Sequence, residues 1–171
     1  MRSSLPALGL LAALLLAAPS HAQFANRSLG VSGGYINFFN AASLSNTAFV
    51  GLDASLYIEG GFELVSLTKI VFPYDTVSEK RVLGLAPSIG VRYLFSEEAF
   101  RPYVGADLSY LHVFKPSGDL NFVGVGPNLG FEYFVSDSIS LGLRAQFNLY
   151  LELNSSPQAS LLGSAGVSVY F

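Results

Sequence analysis

The chain has 171 residues, a formal net charge of −3 and no cysteine. That is one domain's length, its acidic balance argues against nucleic acid as a partner, and disulfide frameworks and thiolate metal sites are excluded. Apolar residues make up 51% and charged residues 12%; this is about half the charged share of a soluble domain, so something apolar besides a core must face those side chains.

The first predicted element is a leader. Arg2 opens a short positive region, and 5–18 is apolar, broken only by Pro6 and Gly9. Pro19, Ser20, His21 and Ala22 then supply a breaker and small residues at −3 and −1, so a secretory signal peptide is predicted over 1–22, cut between Ala22 and Gln23. Its apolar core is shorter than the roughly 20 residues a helical span needs. Gln23 in place of Cys argues against a lipoprotein. The mature part, 23–171, contains no apolar run that could cross a membrane as a helix. A lipid-facing chain without such a helix must close its sheet, because every backbone N–H and C=O needs a partner in hydrocarbon.

Period-2 alternation then runs through the mature part and predicts eight strands. The first, near 27–38, sets Leu29, Val31 and Tyr35 against Ser28, Gly30, Ser32 and Gly34. The second, near 48–58, sets Val50, Leu52, Leu56 and Ile58 against Gly51, Asp53 and Ser55. In the third, near 62–72, both faces are mixed. A Lys on the lipid face at mid-bilayer costs on the order of 2–4 kcal/mol, so Glu63 and Lys69 are pointed inward and Leu64, Ser66, Thr68 and Ile70 outward.

The fourth strand, near 81–95, sets Leu85, Ile89 and Val91 against Ser88, Gly90 and Arg92. The fifth, near 101–112, sets Val104 and Leu108 against Gly105, Asp107 and Ser109. The sixth, near 122–134, sets Val125, Leu129 and Phe131 against Gly126, Asn128 and Glu132. The seventh, near 139–151, sets Leu141, Leu143 and Phe147 against Gly142, Arg144 and Asn148, and the eighth closes the chain with Val167, Val169 and Phe171 against Gly166, Ser168 and Tyr170. A soluble sandwich would also alternate, but its outward face would carry charges where these carry Leu, Val and Phe.

Short turns at 59–61, 96–99 and 136–138 alternate with longer polar segments at 39–47, 73–80, 115–121 and 152–160. Short periplasmic turns against longer outer loops is the asymmetry of an outer-membrane barrel, and an even strand number returns both ends to the periplasmic side. Tyr35, Phe38, Phe62, Phe72, Tyr93, Phe95, Tyr133 and Phe171 gather near strand ends, as interfacial girdles do. The fold class expected is all-β, an eight-stranded antiparallel up-and-down transmembrane barrel.

The ending 165–171, with a terminal Phe171 and Val169 and Val167 at every second position before it, resembles the C-terminal signal of bacterial outer-membrane barrels. Arg101-Pro102-Tyr103-Val104-Gly105-Ala106 is similar to a strand opening common in small OmpA/OmpX-type barrels. The resemblance implies an outer-membrane location, contact with outer-membrane lipid and lipopolysaccharide, and recognition of Val167, Val169 and Phe171 by the barrel-assembly machinery. The family is functionally mixed, and Val169 stands where an aromatic is frequent.

Gly84, Pro87, Gly90, Arg92 and Tyr93 recur at the same spacing as Gly124, Pro127, Gly130, Glu132 and Tyr133, and Gly105 before Asp107 is echoed by Gly142 before Arg144. Two hairpins thus carry one frame with reversed charges. Asp53, Arg92, Asp107, Glu132 and Arg144 are expected to form an interior polar network in the lower lumen, since an eight-stranded barrel is just wide enough for side chains and an unpaired buried charge costs roughly 3–5 kcal/mol. The network reads as structural or as a gated ion path. Pro87 and Pro127 fall mid-strand, where bulges would accommodate a missing donor.

Catalytic patterns are few: the one G-x-S-x-G match, Gly30 to Gly34, falls within the first predicted strand and not at a strand-to-helix turn, and there is no H-E-x-x-H, phosphate loop or calcium loop. His112 is a lone rim histidine without a serine or acid at i+2, and Asp75 and Glu79 read as solvated loop carboxylates. No cofactor is expected. Three functions remain open: a non-enzymatic structural or assembly component with an unknown envelope partner, a narrow porin-like channel, and a lipid A-modifying enzyme. Lys80, Arg81 and Lys115 near the outer rim could meet lipopolysaccharide phosphates, although solvated rim charges are the simpler reading.

Overall fold

A computed structural model describes residues 26–39, 45–75, 78–116, 118–151 and 157–171. The predicted leader, with its cut between Ala22 and Gln23, lies outside the described residues.

The strands are β1 (Arg27–Phe39), β2 (Thr47–Glu59), β3 (Phe62–Val71), β4 (Tyr74–Asp75), β5 (Lys80–Arg81), β6 (Leu83–Leu94), β7 (Phe100–Phe114), β8 (Leu120–Ser136), β9 (Ile139–Leu151) and β10 (Gln158–Tyr170). Eight of them close into a barrel in the order β1-β10-β9-β8-β7-β6-β3-β2, every pair antiparallel. First and last strands pair from Ser28↔Tyr170 to Phe39↔Ala159. That pairing removes the sheet edge, which a bilayer would not tolerate.

Alternation sets the two faces. Leu52 on β2, Leu108 on β7 and Leu129 on β8 are more than half exposed, while Glu63, Lys69 and Asp107 are buried. Apolar outside and polar inside is the reverse of a soluble domain and the pattern of a lipid-facing wall. Glu63 and Lys69 point inward, as the cost of a charge in lipid requires.

Several details differ from expectation. The segment 73–80 is not wholly irregular: β4 and β5 pair as a small hairpin through Tyr74↔Arg81 and Asp75↔Lys80. Strands β7, β8 and β10 extend beyond their predicted ends, because ladder pairing continues past the point where lipid-facing alternation can be read. Phe38 turns inward against Tyr150, ring centroids 6.3 Å apart, and does not join a girdle.

Neither mid-strand proline sits at a bulge. On one flank Pro87 pairs with Thr68, and Pro127 with Ala106. On the other the ladder skips Ala86 and Pro87, running from Leu85↔His112 to Ser88↔Ser109, and skips Gly126 and Pro127, running from Val125↔Leu149 to Asn128↔Gln146. Register is the same before and after each gap, so the lost donor is absorbed by a local opening. The register shifts lie beside short turns, between Tyr57 and Glu59 and between Phe134 and Ser136.

Inside, the barrel is layered. Toward the long-loop end, Ile36, Phe49, Leu111, Phe122, Tyr150 and Leu162 belong to one buried apolar cluster. Toward the short-turn end most of the large inward side chains are charged or hydroxylated, with Val65 and Leu94 the buried apolar exceptions.

Candidate functional site in the barrel interior

Three strands project one ionic layer into the lower lumen. Arg92 on β6 donates from Nε to Glu63 Oε2 on β3 at 2.5 Å and from Nη2 to Glu132 Oε1 on β8 at 2.8 Å. Glu63 also accepts from the Ser55 hydroxyl, and Glu132 from the Tyr170 phenol. The Arg92 guanidinium lies 4.6 Å from the Tyr103 ring centroid. With two carboxylates on one guanidinium, each buried charge has a hydrogen-bonded partner, the condition for tolerating it away from water.

One layer deeper, Arg144 on β9 pairs with Asp107 on β7, and Asn128 donates to Asp107 at 2.9 Å. Lys69 donates to Ser88 at 3.3 Å. Above them, Gln146 donates to Asn148 at 2.8 Å.

Glycine makes room for these groups. Each large side chain lies beside a glycine on the neighbouring strand: Arg92↔Gly105, Asp107↔Gly90, Glu132↔Gly142, Arg144↔Gly130 and Tyr103↔Gly130. A Cβ at Gly90 would run into the Asp107 carboxylate, and one at Gly105 would come within 3.0 Å of Arg92 Cβ. The recurring glycines of the sequence echo are therefore the seats of the recurring charges.

Of the five predicted network residues, four are joined in pairs, Arg92 with Glu132 and Asp107 with Arg144. Asp53 faces the same lumen but is engaged by neither pair. Glu63, Tyr103 and Tyr170 were missed. The inward parity of Glu63 was legible, but its register opposite Arg92 is set by the β3–β6 ladder, and β3 carries no copy of the echo. Tyr170 on β10 reaches Glu132 on β8 across the intervening β9.

At the outer rim, His112 Nδ1 donates to Asn121 Oδ1 at 2.7 Å, and its Nε2 lies 3.5 Å from Asp119. The acid beside this histidine comes from across the hairpin, not from i+2. Asp75 is not a solvated carboxylate: it is buried, accepts from the Ser78 hydroxyl at 2.6 Å and pairs with Lys115 at 2.9 Å. The hydroxyl and the ammonium hold its carboxyl down to about 2. Arg81 donates to the Phe72 carbonyl at 3.1 Å, while Lys80 is exposed.

The outer membrane protein beta-barrel domain family model matches residues 8–170. Among solved structures, Neisserial surface protein A is similar at 18% identity over 85% of this chain and 97% of that one, TM-score 0.70. The N-terminal β-barrel domain of Pseudomonas aeruginosa OprF matches at 17% identity, 86% and 98% coverage, TM-score 0.57. OprG from the same organism matches at 12% identity, 86% and 97% coverage, TM-score 0.55. Among curated proteins none matches. At these identities the structures share a fold, and OprG is by name an outer membrane protein. With its closed lipid-facing barrel and a family match over nearly its whole length, the chain belongs to the outer membrane protein beta-barrel domain family and resides in the bacterial outer membrane.

Proposed function

We propose that this barrel is non-enzymatic and non-conducting, and that it serves the envelope as a structural element or as the membrane-embedded part of a larger assembly. The observation that carries this reading is the buried apolar cluster of Leu111, Phe122, Tyr150 and Leu162 with Ile36 and Phe49 across the outer lumen. An ion passing it would have to shed much of its hydration among these side chains, and burying a charge without full compensation is costly. The ion pairs below lock inward side chains into single arrangements, as a rigid scaffold needs. Its lipid face meets outer-membrane lipid and lipopolysaccharide. Val167, Val169 and Phe171 on the closing strand are proposed to be read by the barrel-assembly machinery before Phe171 bonds to the first strand.

Planar-bilayer recording tests the sealed lumen. The purified barrel should give no single-channel steps across a physiological voltage range. Reproducible steps from the unmodified protein would overturn the reading in favour of a narrow pore.

A further inference from the structure

The inner wall of the barrel is not uniform. β3, β6, β7 and β8 send large, buried side chains into the lower lumen, Glu63, Arg92, Tyr103, Asp107 and Glu132, the last four seated against glycines of their neighbours. On β9, β10, β1 and β2, which are contiguous in the barrel, the inward residues are mostly glycine and serine, and they are partly exposed: Gly30, Ser32, Ser55, Gly142, Gly166 and Ser168. Side chains from one half of the wall cross the lumen, and small residues on the other half leave the space open.

That space is a cavity of about 60 Å³ lined by Ser32, Asp53, Ser55, Arg144 and Ser168. A water needs roughly 10–15 Å³ of such volume and two to four polar partners, so several fit. Ser32 Oγ and Arg144 Nε are buried with no protein hydrogen bond, as are Ser160 Oγ and Gln158 Oε1 nearer the outer end, so it is the cavity beside Ser32 and Arg144, and not the missing partner alone, that marks where ordered water sits. No hydrogen bond or ion pair reaches Asp53 among the described residues. A donor without an acceptor, Arg144 Nε–H, thus shares a cavity with an acceptor without a donor, the Asp53 carboxylate. Their strands are separated by β1 and β10. Above the cavity lies the buried apolar cluster.

We propose that the lower lumen is a one-ended water-binding vestibule, entered from the periplasmic side along β9-β10-β1-β2, in which ordered water joins Asp53 to Arg144. This goes beyond a sealed scaffold, since a sealed barrel could equally be dry throughout. Hydration completes the ionic network where no side chain spans the gap, and it brings solvent into the membrane-embedded part from one side only.

Because the chain has no cysteine, single cysteines report depth directly. Ser28→Cys and Ser32→Cys lie on β1, progressively farther from the short-turn end, and Ser160→Cys lies near the outer end, paired with Phe38 and Asn148. Each folded variant in lipid nanodiscs is exposed to silver ion, and the thiol that remains is counted after denaturation. Complete loss of free thiol at Ser28→Cys and Ser32→Cys with none at Ser160→Cys is expected. Protection of Ser32→Cys would overturn the vestibule while leaving the sealed reading intact. Reaction at Ser160→Cys would overturn both, since water would then enter from outside. If Ser32→Cys does not fold, water-edited NMR on the unmodified barrel decides: water-transfer signals at Gly30 and Gly166 but not at Leu162 are expected, and their absence overturns the proposal.

Discussion

Arg92 and Glu132 occupy the same position in two successive hairpins, β6–β7 and β8–β9, and are bonded to each other at 2.8 Å. Asp107 and Arg144 are likewise equivalent positions of the two hairpins and are likewise paired. Each hairpin presents the same crossed frame, a charge opposite a glycine on each strand: Arg92↔Gly105 with Gly90↔Asp107 in one, Glu132↔Gly142 with Gly130↔Arg144 in the other. Reversing both signs between copies turns repetition into complementarity, since equivalent residues reach the same depth and carry opposite charge.

Removing the cation should be severe. Arg92→Met leaves Glu63 and Glu132 facing one another without a partner and is expected to lower unfolding free energy by about 3–5 kcal/mol in urea titrations of the vesicle-inserted barrel. The triple variant Arg92→Met, Glu63→Gln, Glu132→Gln should recover most of that loss, because no charge then remains unpaired. A triple variant as unstable as the single would assign the loss to packing and not to charge.

The glycine seats give a sharper geometric test. At Gly90 an added methyl meets the Asp107 carboxylate, whereas at Gly163, on the lipid face, nothing lies within 4 Å. Gly90→Ala is expected to destabilise by about 1–3 kcal/mol, as overpacking does, and Gly163→Ala to stay within about 0.5 kcal/mol of the parent. Equal effects at both sites, measured by the same titration, would remove the proposed role of the seats.

In the outer loop, stability should follow pH in one direction. The folded-state carboxyl of Asp75 sits at about 2 against an ordinary 3.8, held chiefly by the Ser78 hydroxyl and then by Lys115. A depressed carboxylate stabilises the fold above its unfolded pKa and loses that contribution as pH falls through the folded one. Hydrogen exchange in the β4–β5 hairpin, corrected for intrinsic rate, should therefore be constant above about pH 4 and accelerate as pH falls toward 2. Asp75→Asn should abolish the step.

The apolar seal bears on both stability and conduction. Leu111 and Leu162 are among the largest fully buried side chains, and truncating either to Ala is expected to lower stability by about 2–5 kcal/mol. Bilayer recordings of the double truncation should show current where the parent shows none, since the vestibule would then meet the outer mouth.

The end of the chain should matter for delivery more than for the finished fold. Phe171 is 47% exposed, and its backbone N–H donates to Arg27 O at 3.0 Å. Phe171→Ala is expected to cut the amount of barrel reaching the outer membrane in cells, while refolded protein loses no more than about 1 kcal/mol. Unchanged yield in cells would remove the assembly signal from this residue.

The linear chain by itself determined the wall. Alternating Leu, Val and Phe against Gly and Ser specify strand, face and membrane environment because these are local properties of period two, and the cost of a charge in lipid was enough to orient even the mixed β3. The repeat of Gly90 and Arg92 as Gly130 and Glu132 made four members of the ionic layer visible. Tertiary structure alone decided who pairs with whom. Glu63 meets Arg92 through ladder register, Tyr170 meets Glu132 across the intervening β9, Asp75 on β4 meets Lys115 beyond the end of β7, and Asp53 is left facing open space because Gly and Ser line the wall beside it. These contacts depend on side chains brought across a lumen from strands distant in sequence, and the spacing of residues along one strand carries no record of what stands opposite.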